Sequence, residues 1–80
     1  MKYFVYFLKS LKNNNIYDGS AFDIDKRLKR HNSGKVKSTK GYRPWIILDH
    51  KEFNSRSEAM ISEKFYKTGQ QKEILKNKYK

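Results

Sequence analysis

The first run of apolar residues, KYFVYFLKS at positions 2–10, is aromatic and aliphatic over most of its length. A strand covered on both faces has this continuous pattern, so the run predicts a buried strand. The next segment, LKNNN, supplies turn residues, because Asn tolerates the left-handed backbone region. From residue 16 the segment IYDGS resumes a β-like pattern. The two runs therefore predict an antiparallel hairpin.

A helix and then a loop are predicted after the hairpin. Asp23 is a fair N-cap for IDKRLKRHNS, and Gly34 is placed to end the helix. The residues at i, i+4 and i+7 of this helix are Ile24, Leu28 and His31. Residues 35–44, KVKSTKGYRP, contain four lysines or arginines and show no convincing period, so they predict a long basic loop.

The remaining elements are a third strand and two helices. WIILDHKEF at 45–53 predicts the strand, and the capping box Ser55-x-x-Glu58 opens a helix predicted to run to about Thr68, with Gly69 as its stop. Its inward face is predicted to carry Ala59, Met60, Glu63, Tyr66 and Lys67, while Ile61 and Phe65 lie off that stripe.

The tail QQKEILKNKYK predicts a short third helix that packs Ile74 and Leu75 and has a frayed basic end. The order is then β-β-α-β-α-α. This order predicts an α+β fold with a three-stranded antiparallel sheet flanked by helices. At 80 residues the chain is expected to form one domain, spanning 1–80, with a small core.

Charge narrows the class of partner. Lys and Arg number 19 against 8 Asp and Glu, a formal charge of +11, and the basic residues are spread through the chain. Such a protein attracts polyanions, and nucleic acid is the expected partner. A membrane is not, because no apolar run approaches the roughly 18 residues needed to span a bilayer. The absence of cysteine excludes disulfides and thiolate metal sites, and a cytoplasmic location is expected.

Five polar or aromatic residues could carry chemistry, and each also has an ordinary structural explanation. Tyr6 and Tyr17 fall on the two hairpin strands, where a tyrosine is commonly a core residue with its hydroxyl at the rim. Arg27 and His31, one helical turn apart, could belong to a solvated basic face. Glu63 could simply pair with a base such as Lys67 on its own helix.

Read together, the same residues resemble the GIY-YIG nuclease family, most closely its small stand-alone bacterial members of the UPF0213 type. Tyr6 ends the first signature in FVY, and Tyr17 opens the second in YDG after ten intervening residues. The family Arg falls on Arg27, the adjoining His on His31, and the metal-binding Glu on Glu63 in AMISE. HNSGKVKSTKGYRPW and FNSRSEA are similar to the loop and helix start of the stand-alone subgroup.

The resemblance implies an endonuclease that hydrolyses phosphodiester bonds in nucleic acid, with DNA expected before RNA. Glu63 would hold one Mg²⁺ (or Mn²⁺), a hard cation that needs few carboxylates. Arg27 would stabilise the charge of the phosphoryl transition state. Tyr6 or Tyr17, with His31, would activate water. Ser20 stands where some relatives carry Lys, and no residue is assigned to the Asn that follows the metal Glu in several members.

Other interpretations stay open. The same fold could be a nucleic-acid-binding module without turnover, or a domain that binds an acidic protein. The basic loop could be merely solvated, but in a nuclease its cations would follow the phosphates of a strand. Those nucleic-acid-binding candidates are Lys35, Lys37, Lys40 and Arg43. We expect His50 to be a surface histidine of the third strand and Trp45 a core or rim anchor.

Asp18 is unusual within the second signature, where the family has Ile or Val. Because side chains alternate along a strand, Asp18 should point away from Tyr17 and replace a packing residue rather than a catalytic one. A buried carboxylate must find a partner, take up a proton or lie partly exposed. We predict that Asp18→Ile raises the melting temperature and leaves the metal site in place; a fall in stability would show that Asp18 makes a pairing not identified from the sequence.

Overall fold

The computed structural model describes residues 2–78, which form an α+β fold as predicted. Its elements follow in chain order. They are β1 (Tyr3–Ser10), β2 (Ile16–Ala21), α1 (Ile24–Asn32), α2 (Lys37–Lys40), β3 (Trp45–Phe53), α3 (Arg56–Tyr66) and α4 (Gly69–Lys78).

The sheet has three antiparallel strands in the order β2-β1-β3. β1 is therefore the central strand, which explains its continuous apolar pattern. Its residues Val5 to Leu8 are all buried, at 0–1% exposure. β1 and β2 form the predicted hairpin, and Asn14 in the turn adopts the left-handed region at φ 63°.

The two faces of the sheet carry separate apolar clusters. On the α1 side the buried residues are Tyr6, Leu8, Ala21 and Trp45, with Tyr17, Ile24, Leu28 and Ile47 packed against them. On the side of α3 and α4 they are Val5, Phe7, Ile16, Ala59 and Leu75. The two tyrosines of the candidate site thus share one face, and the buried Trp45 confirms the core role expected for it.

α1 begins and ends as its sequence predicts. The side chain of Asp23 caps it by accepting a hydrogen bond from the backbone N–H of Lys26 at 3.1 Å. The helix ends at Asn32, and Gly34 just beyond has φ +83°, a conformation that glycine adopts without strain.

The prediction of an unstructured loop over residues 35–44 is wrong at Lys37–Lys40, which form the single turn of α2. So short a helix has no apolar period of its own. It is held by tertiary contacts of the buried Thr39, whose hydroxyl lies 2.8 Å from Nδ1 of His31. The Thr39 carbonyl also accepts a hydrogen bond from Nε1 of Trp45 at 3.0 Å.

α3 starts where the capping box indicates, because Ser55 accepts a hydrogen bond from the Glu58 N–H at 3.2 Å. It ends at Tyr66, before the predicted Thr68. Gly69 is the first residue of α4 and not the stop of α3. The hydroxyl of Thr68 accepts a hydrogen bond from the Gln71 N–H at 3.4 Å, so Thr68 caps the N-terminus of α4.

The packing of α3 and α4 departs from the predicted stripes. Ala59 is buried, and the ring of Tyr66 meets that of Phe7 edge-on at 4.9 Å, whereas Met60 and Lys67 are exposed. On α4, Leu75 is buried as predicted but Ile74 is half exposed. The fraying predicted for the basic end of the chain falls partly on residues 79 and 80, outside the described residues.

Across residues 2–78, no helix has the length and apolar character needed to cross a bilayer.

Candidate active site

Tyr6 and Gly19 face each other across the β1–β2 hairpin. A Cβ atom at Gly19 would lie 2.6 Å from Oη of Tyr6 and 3.2 Å from Cε1 of Tyr17. Both distances are shorter than ordinary van der Waals contact. Gly19 is therefore needed where the Tyr6 ring crosses β2, which gives the YDG signature a steric reason.

A buried hydrogen-bonded series runs from the sheet to α2. Oη of Tyr6 lies 3.2 Å from Nε2 of His31, and Nδ1 of the same imidazole lies 2.8 Å from Oγ1 of Thr39. The Thr39 hydroxyl donates to the carbonyl of Val36 at 3.4 Å, so its oxygen accepts the proton of Nδ1. We therefore assign Nε2 as the acceptor of the Tyr6 hydroxyl.

The protonation equilibria of this pair are shifted in opposite directions. Burial raises the pKa of Tyr6 above its usual 10.0, and the neighbouring Tyr17 raises it further, while Arg27 lowers it. Weaker upward effects on the same pKa come from Glu63 and Asp18. Burial lowers the pKa of His31 below 6.5, and Arg27 and Arg30 add to that decrease. Both rings are thus neutral at pH 7.

Tyr17 lies on the solvent side of this pair and is partly exposed. Its ring centroid is 4.8 Å from that of His31 and 6.4 Å from that of Tyr6. The ammonium of Lys67, from α3, lies 5.7 Å from the Tyr17 ring centroid. Tyr17 therefore contacts both the buried imidazole and the C-cap residue of α3.

Glu63 reaches the site from α3, on the other side of β2. Its side chain is 22% exposed, and Oε2 lies 3.9 Å from Nζ of Lys67, the ion pair considered from the sequence. The Glu63 carboxylate contributes a weak increase to the pKa of Tyr6, as does Asp18 on the opposite face of the sheet. In the part of the chain that the structure describes, no three His, Cys, Asp or Glu side chains cluster as a metal site.

Arg27 is exposed on α1 and lines a groove of about 390 Å³, called here the Arg27 groove. Lys26 and Arg56 line it as well, together with Ser20 at the end of β2. A guanidinium offers a planar fork of donors that suits a phosphate. Three cations along one groove make it suitable for a polyanion.

The cations predicted to contact phosphate are all exposed, and they line two further grooves beside α1. Lys35 lines one of about 580 Å³ together with Lys29 and Arg30. The other, of about 590 Å³, is lined by Lys37, Lys40 and Arg43 with Lys12. Arg43 also has a structural role, because it donates to the carbonyls of Lys40 at 2.9 Å and Asn32 at 3.5 Å.

The charge of this region has one sign. Between Asp25 and Asp49 the chain has no acidic residue, and eight of its 19 basic residues fall there. They are Lys26, Arg27, Lys29, Arg30, Lys35, Lys37, Lys40 and Arg43. The segments after β3 mix acidic and basic residues, so the α1–α2 side is the more positive part of the molecule.

Asp18 points to the opposite face from Tyr17, as predicted, and is 1% exposed. Its Oδ1 lies 2.7 Å from Nζ of Lys72 on α4, and this ammonium also donates to the carbonyl of Ile16 at 3.0 Å. The angles at the carboxylate fall outside hydrogen-bond geometry, so the contact is an ion pair. Lys72 is thus the partner that Asp18 required.

Two residues of the candidate site were not found from the sequence, and a third, Lys67, was considered only as an ion-pair partner of Glu63. Thr39 lay in the segment predicted to be a loop, and Arg56 was noted only as part of the α3 start. Lys67 was assigned to an inward face, although it is exposed over Tyr17. The spacing of Glu63 and Lys67 at i, i+4 was a usable signal, whereas the roles of Thr39 and Arg56 depend on tertiary contacts.

Comparison with known proteins gives a consistent result. Residues 2–80 match the family model of the GIY-YIG catalytic domain. A UPF0213 protein of Staphylococcus haemolyticus is 38% identical over 76 residues, covering 94% of this chain and 92% of that protein. YazA, a UPF0213 protein of Bacillus subtilis, is 39% identical over 75 residues, covering 90% of this chain and 75% of that protein.

A solved structure is also similar. The solution NMR structure of a UPF0213 protein from Bacillus halodurans matches with a TM-score of 0.56 and 37% identity, covering 94% of this chain and 82% of that one. The family match spans all five residues of the candidate site, from Tyr6 to Glu63.

Proposed function

The chain belongs to the GIY-YIG family, whose catalytic domain is of the nuclease type. On that premise we propose that it is a metal-dependent endonuclease that acts on nucleic acid, with DNA expected before RNA. The observation that carries the proposal is the hydrogen bond between Tyr6 and His31, beside Tyr17 and under the helix that bears Arg27. This arrangement supplies a route for a proton next to a cation suited to phosphate.

Tyr6 is assigned the role of a proton relay. Once substrate binding brings a water to this buried hydroxyl, it can accept the proton of the water while its own proton passes to Nε2 of His31. The phenolate is never a resting species in such a relay, so the raised pKa of Tyr6 does not oppose it. The lowered pKa of His31 leaves the imidazole neutral and able to accept. Tyr17, partly exposed beside the same ring, is the second candidate for contact with the water.

Arg27 is assigned the role of stabilising the negative charge that accumulates on the phosphoryl oxygens. Its exposure in the Arg27 groove leaves the guanidinium accessible to a substrate, and its charge lowers the pKa of both Tyr6 and His31. Donors fixed where charge develops are commonly the largest single contribution to catalysis. Lysine could supply the charge at this position but not the bidentate geometry.

Glu63 fits a divalent cation. Its carboxylate is partly exposed, and its described ion pair is a 3.9 Å contact with Lys67, a half-exposed ammonium that can move aside. One carboxylate is enough for Mg²⁺, which keeps several waters and takes phosphate oxygens as further ligands; Mn²⁺ would suit the same oxygen donors. When bound, the metal would neutralise charge on the scissile phosphate.

The proposal is tested by a cleavage screen with purified protein, Mg²⁺ or Mn²⁺, and single-stranded, duplex and branched substrates of DNA and RNA. We expect cutting that is abolished in Glu63→Ala and Arg27→Ala, with circular dichroism spectra unchanged. Glu73→Ala removes the same charge from an exposed position on α4 and should cut like the wild type. Equal cutting by wild type and Glu63→Ala would contradict the proposal.

A nucleic-acid-binding module without turnover is the second candidate. The contact between Lys67 and Glu63 favours it, because an ammonium already offsets the charge that a metal would need. It requires binding that weakens steeply with salt and no metal-dependent cleavage on any substrate of the screen. Turnover that depends on Glu63 would eliminate it.

A further inference from the structure

A fourth groove lies beside the candidate site and differs from the three basic ones. It has a volume of about 470 Å³ and is lined by the rings of Phe4, Phe22 and His50 and by the aliphatic side chains of Ile24 and Ile47. We call it the aromatic groove. It lies on the α1 side of the sheet, at the end where β1 begins and β2 ends.

The ring of Phe22 is 58% exposed, which is unusual for a side chain of this size. It is nevertheless held in place, because it meets the ring of Tyr3 edge-on at a centroid distance of 6.2 Å. Phe4 and His50 meet in the same way at 5.6 Å. The groove therefore presents oriented aromatic surface to solvent, the kind of surface on which nucleobases stack.

The aromatic groove is joined to the Arg27 groove, because Phe22 and Asp23 line both. A phosphate beside Arg27 would thus lie in the same groove as the ring of Phe22. The two grooves together have the layout of a nucleotide, with a cationic part and an aromatic part side by side.

Charge distinguishes the aromatic groove from a further phosphate site. Of the described residues that line it, none is Lys or Arg, and two are the carboxylates Asp23 and Asp25. Both carboxylates can accept hydrogen bonds from the N–H groups of a base, in addition to the Lys26 N–H that Oδ1 of Asp23 already accepts. An occupant that is planar, uncharged and rich in N–H donors suits a groove that has aromatic surface, no Lys or Arg among its described lining residues, and two carboxylate acceptors.

We propose that the aromatic groove binds one nucleobase of the substrate that is out of its helical stack, with Phe22 as the stacking surface and Asp23 and Asp25 as hydrogen-bond acceptors. This inference rests on the proposed function for the presence of nucleic acid at Arg27. Because the carboxylates favour bases with exocyclic amino groups, adenine, cytosine or guanine bind in preference to thymine.

The test measures binding without cleavage, by fluorescence anisotropy of labelled single-stranded oligodeoxynucleotides in EDTA over a series of salt concentrations. Phe22→Ala should weaken binding by about 5- to 100-fold, the range found for loss of one stacking ring. The salt dependence should keep its slope, because phosphate contacts are unchanged. Phe22→Trp should restore affinity, and circular dichroism should show both variants folded.

Two comparisons make the result specific. Phe65→Ala removes an equally exposed ring, at 54%, from α3, and should bind like the wild type. An oligomer of abasic deoxyribose phosphates should bind wild type and Phe22→Ala equally. Unchanged affinity in Phe22→Ala, or an equal loss in Phe65→Ala, would overturn the base site, as would an equal loss on fully paired duplex. A wild type that cuts in the cleavage screen but binds no single strand here would also overturn the base site, whereas a wild type that neither binds nor cuts would mean that the proposed function fails.

Discussion

At Gly19 the hairpin has no room for a methyl group. We predict that Gly19→Ala lowers the free energy of unfolding by about 1–3 kcal/mol, the usual effect of overpacking, because its Cβ would fall 2.6 Å from Oη of Tyr6. Gly69→Ala is the control, since nothing lies within 4 Å of a Cβ there. It should leave stability unchanged or raise it. Urea denaturation measures both, and equal effects would contradict the steric explanation.

His31 gives a prediction about pH. Its folded pKa lies below the unfolded 6.5, so the unfolded chain binds the proton more readily and stability is lost as the pH falls below about 6.5. The charged side chains around the imidazole disfavour its protonated form, and its other neighbours are uncharged and do not offset the added charge. These side chains are Arg27 and Arg30 on α1, Tyr6 on β1, Tyr17 on β2 and Thr39 on α2.

We therefore expect the free energy of unfolding to fall between pH 6.5 and 5 by up to about 1.4 kcal/mol per pH unit more in the wild type than in His31→Gln. Gln keeps an amide that can bond to Tyr6 and cannot titrate in this range. Chemical denaturation at several pH values gives the difference. Parallel pH dependences would show that His31 titrates alike in the folded and unfolded chain.

At the scale of residues, the structure brings together the rings of three candidates named from the sequence, Tyr6, Tyr17 and His31, with centroids 4.8–6.4 Å apart. Tyr6, Tyr17, Arg27, His31 and Glu63 stand at family spacings that the sequence displays, and strand alternation alone placed Asp18 on the opposite face. What the sequence could not reveal depended on a third element. Thr39 orients His31 from a helix of one turn, and its role is visible only once that turn docks on Trp45.

The elements were predictable wherever local signals agreed with packing. The hairpin, α1 and the start of α3 follow from their apolar runs, Asp23 and the capping box. Gly69 was misread because Gly commonly ends helices. The competing signal was Thr68-x-x-Gln71, itself a capping-box pattern, whose Thr does accept the N–H of Gln71. To place the boundary between α3 and α4, the glycine stop signal had to be compared with this capping-box signal.

α4 is tied to the sheet by the ion pair of Asp18 and Lys72, and the two partners differ in exposure. Asp18 is 1% exposed, whereas the Lys72 side chain is 27% exposed and also donates to Ile16. We predict that Lys72→Met lowers the free energy of unfolding by about 3 kcal/mol, because it leaves a buried carboxylate unpaired. Asp18→Ile should cost clearly less, since Lys72 can still donate to Ile16 or reach water.

The double variant Asp18→Ile with Lys72→Met should return to near wild-type stability, because apolar replacement of a buried ion pair is often neutral or better. Thermal and urea denaturation of the four proteins complete the cycle. If both single variants lose the same amount, the asymmetry in burial does not govern the pair. The sequence-based prediction that Asp18→Ile raises the melting temperature did not include a specific partner, and the ion pair with Lys72 now favours a loss of stability instead.

At the scale of the whole molecule, the positive charge is concentrated on the side formed by α1 and α2. The acid-free segment from Lys26 to Arg43 supplies all the cations of the three basic grooves except Lys12 and Arg56. We predict that Lys35→Gln with Lys37→Gln lowers the slope of log affinity against log salt by about 1.4–1.8, if each lysine meets one phosphate.

Lys64→Gln with Lys76→Gln is the matched control for that slope. It removes the same charge from exposed positions on α3 and α4, outside the basic grooves. It should leave the slope nearly unchanged, as measured by anisotropy on one oligonucleotide. Equal changes in the two double variants would mean that net charge, and not its placement, governs binding.

The ion pair beneath α4 also bears on the history of the sequence. A chain that gained Asp18 first would have carried a buried, unpaired carboxylate, whereas a chain that gained Lys72 first would have carried a lysine with access to water. The second order passes through the more stable ancestor. Among descendants of that ancestor, lysine at position 72 without aspartate at position 18 should therefore be found more often than the reverse.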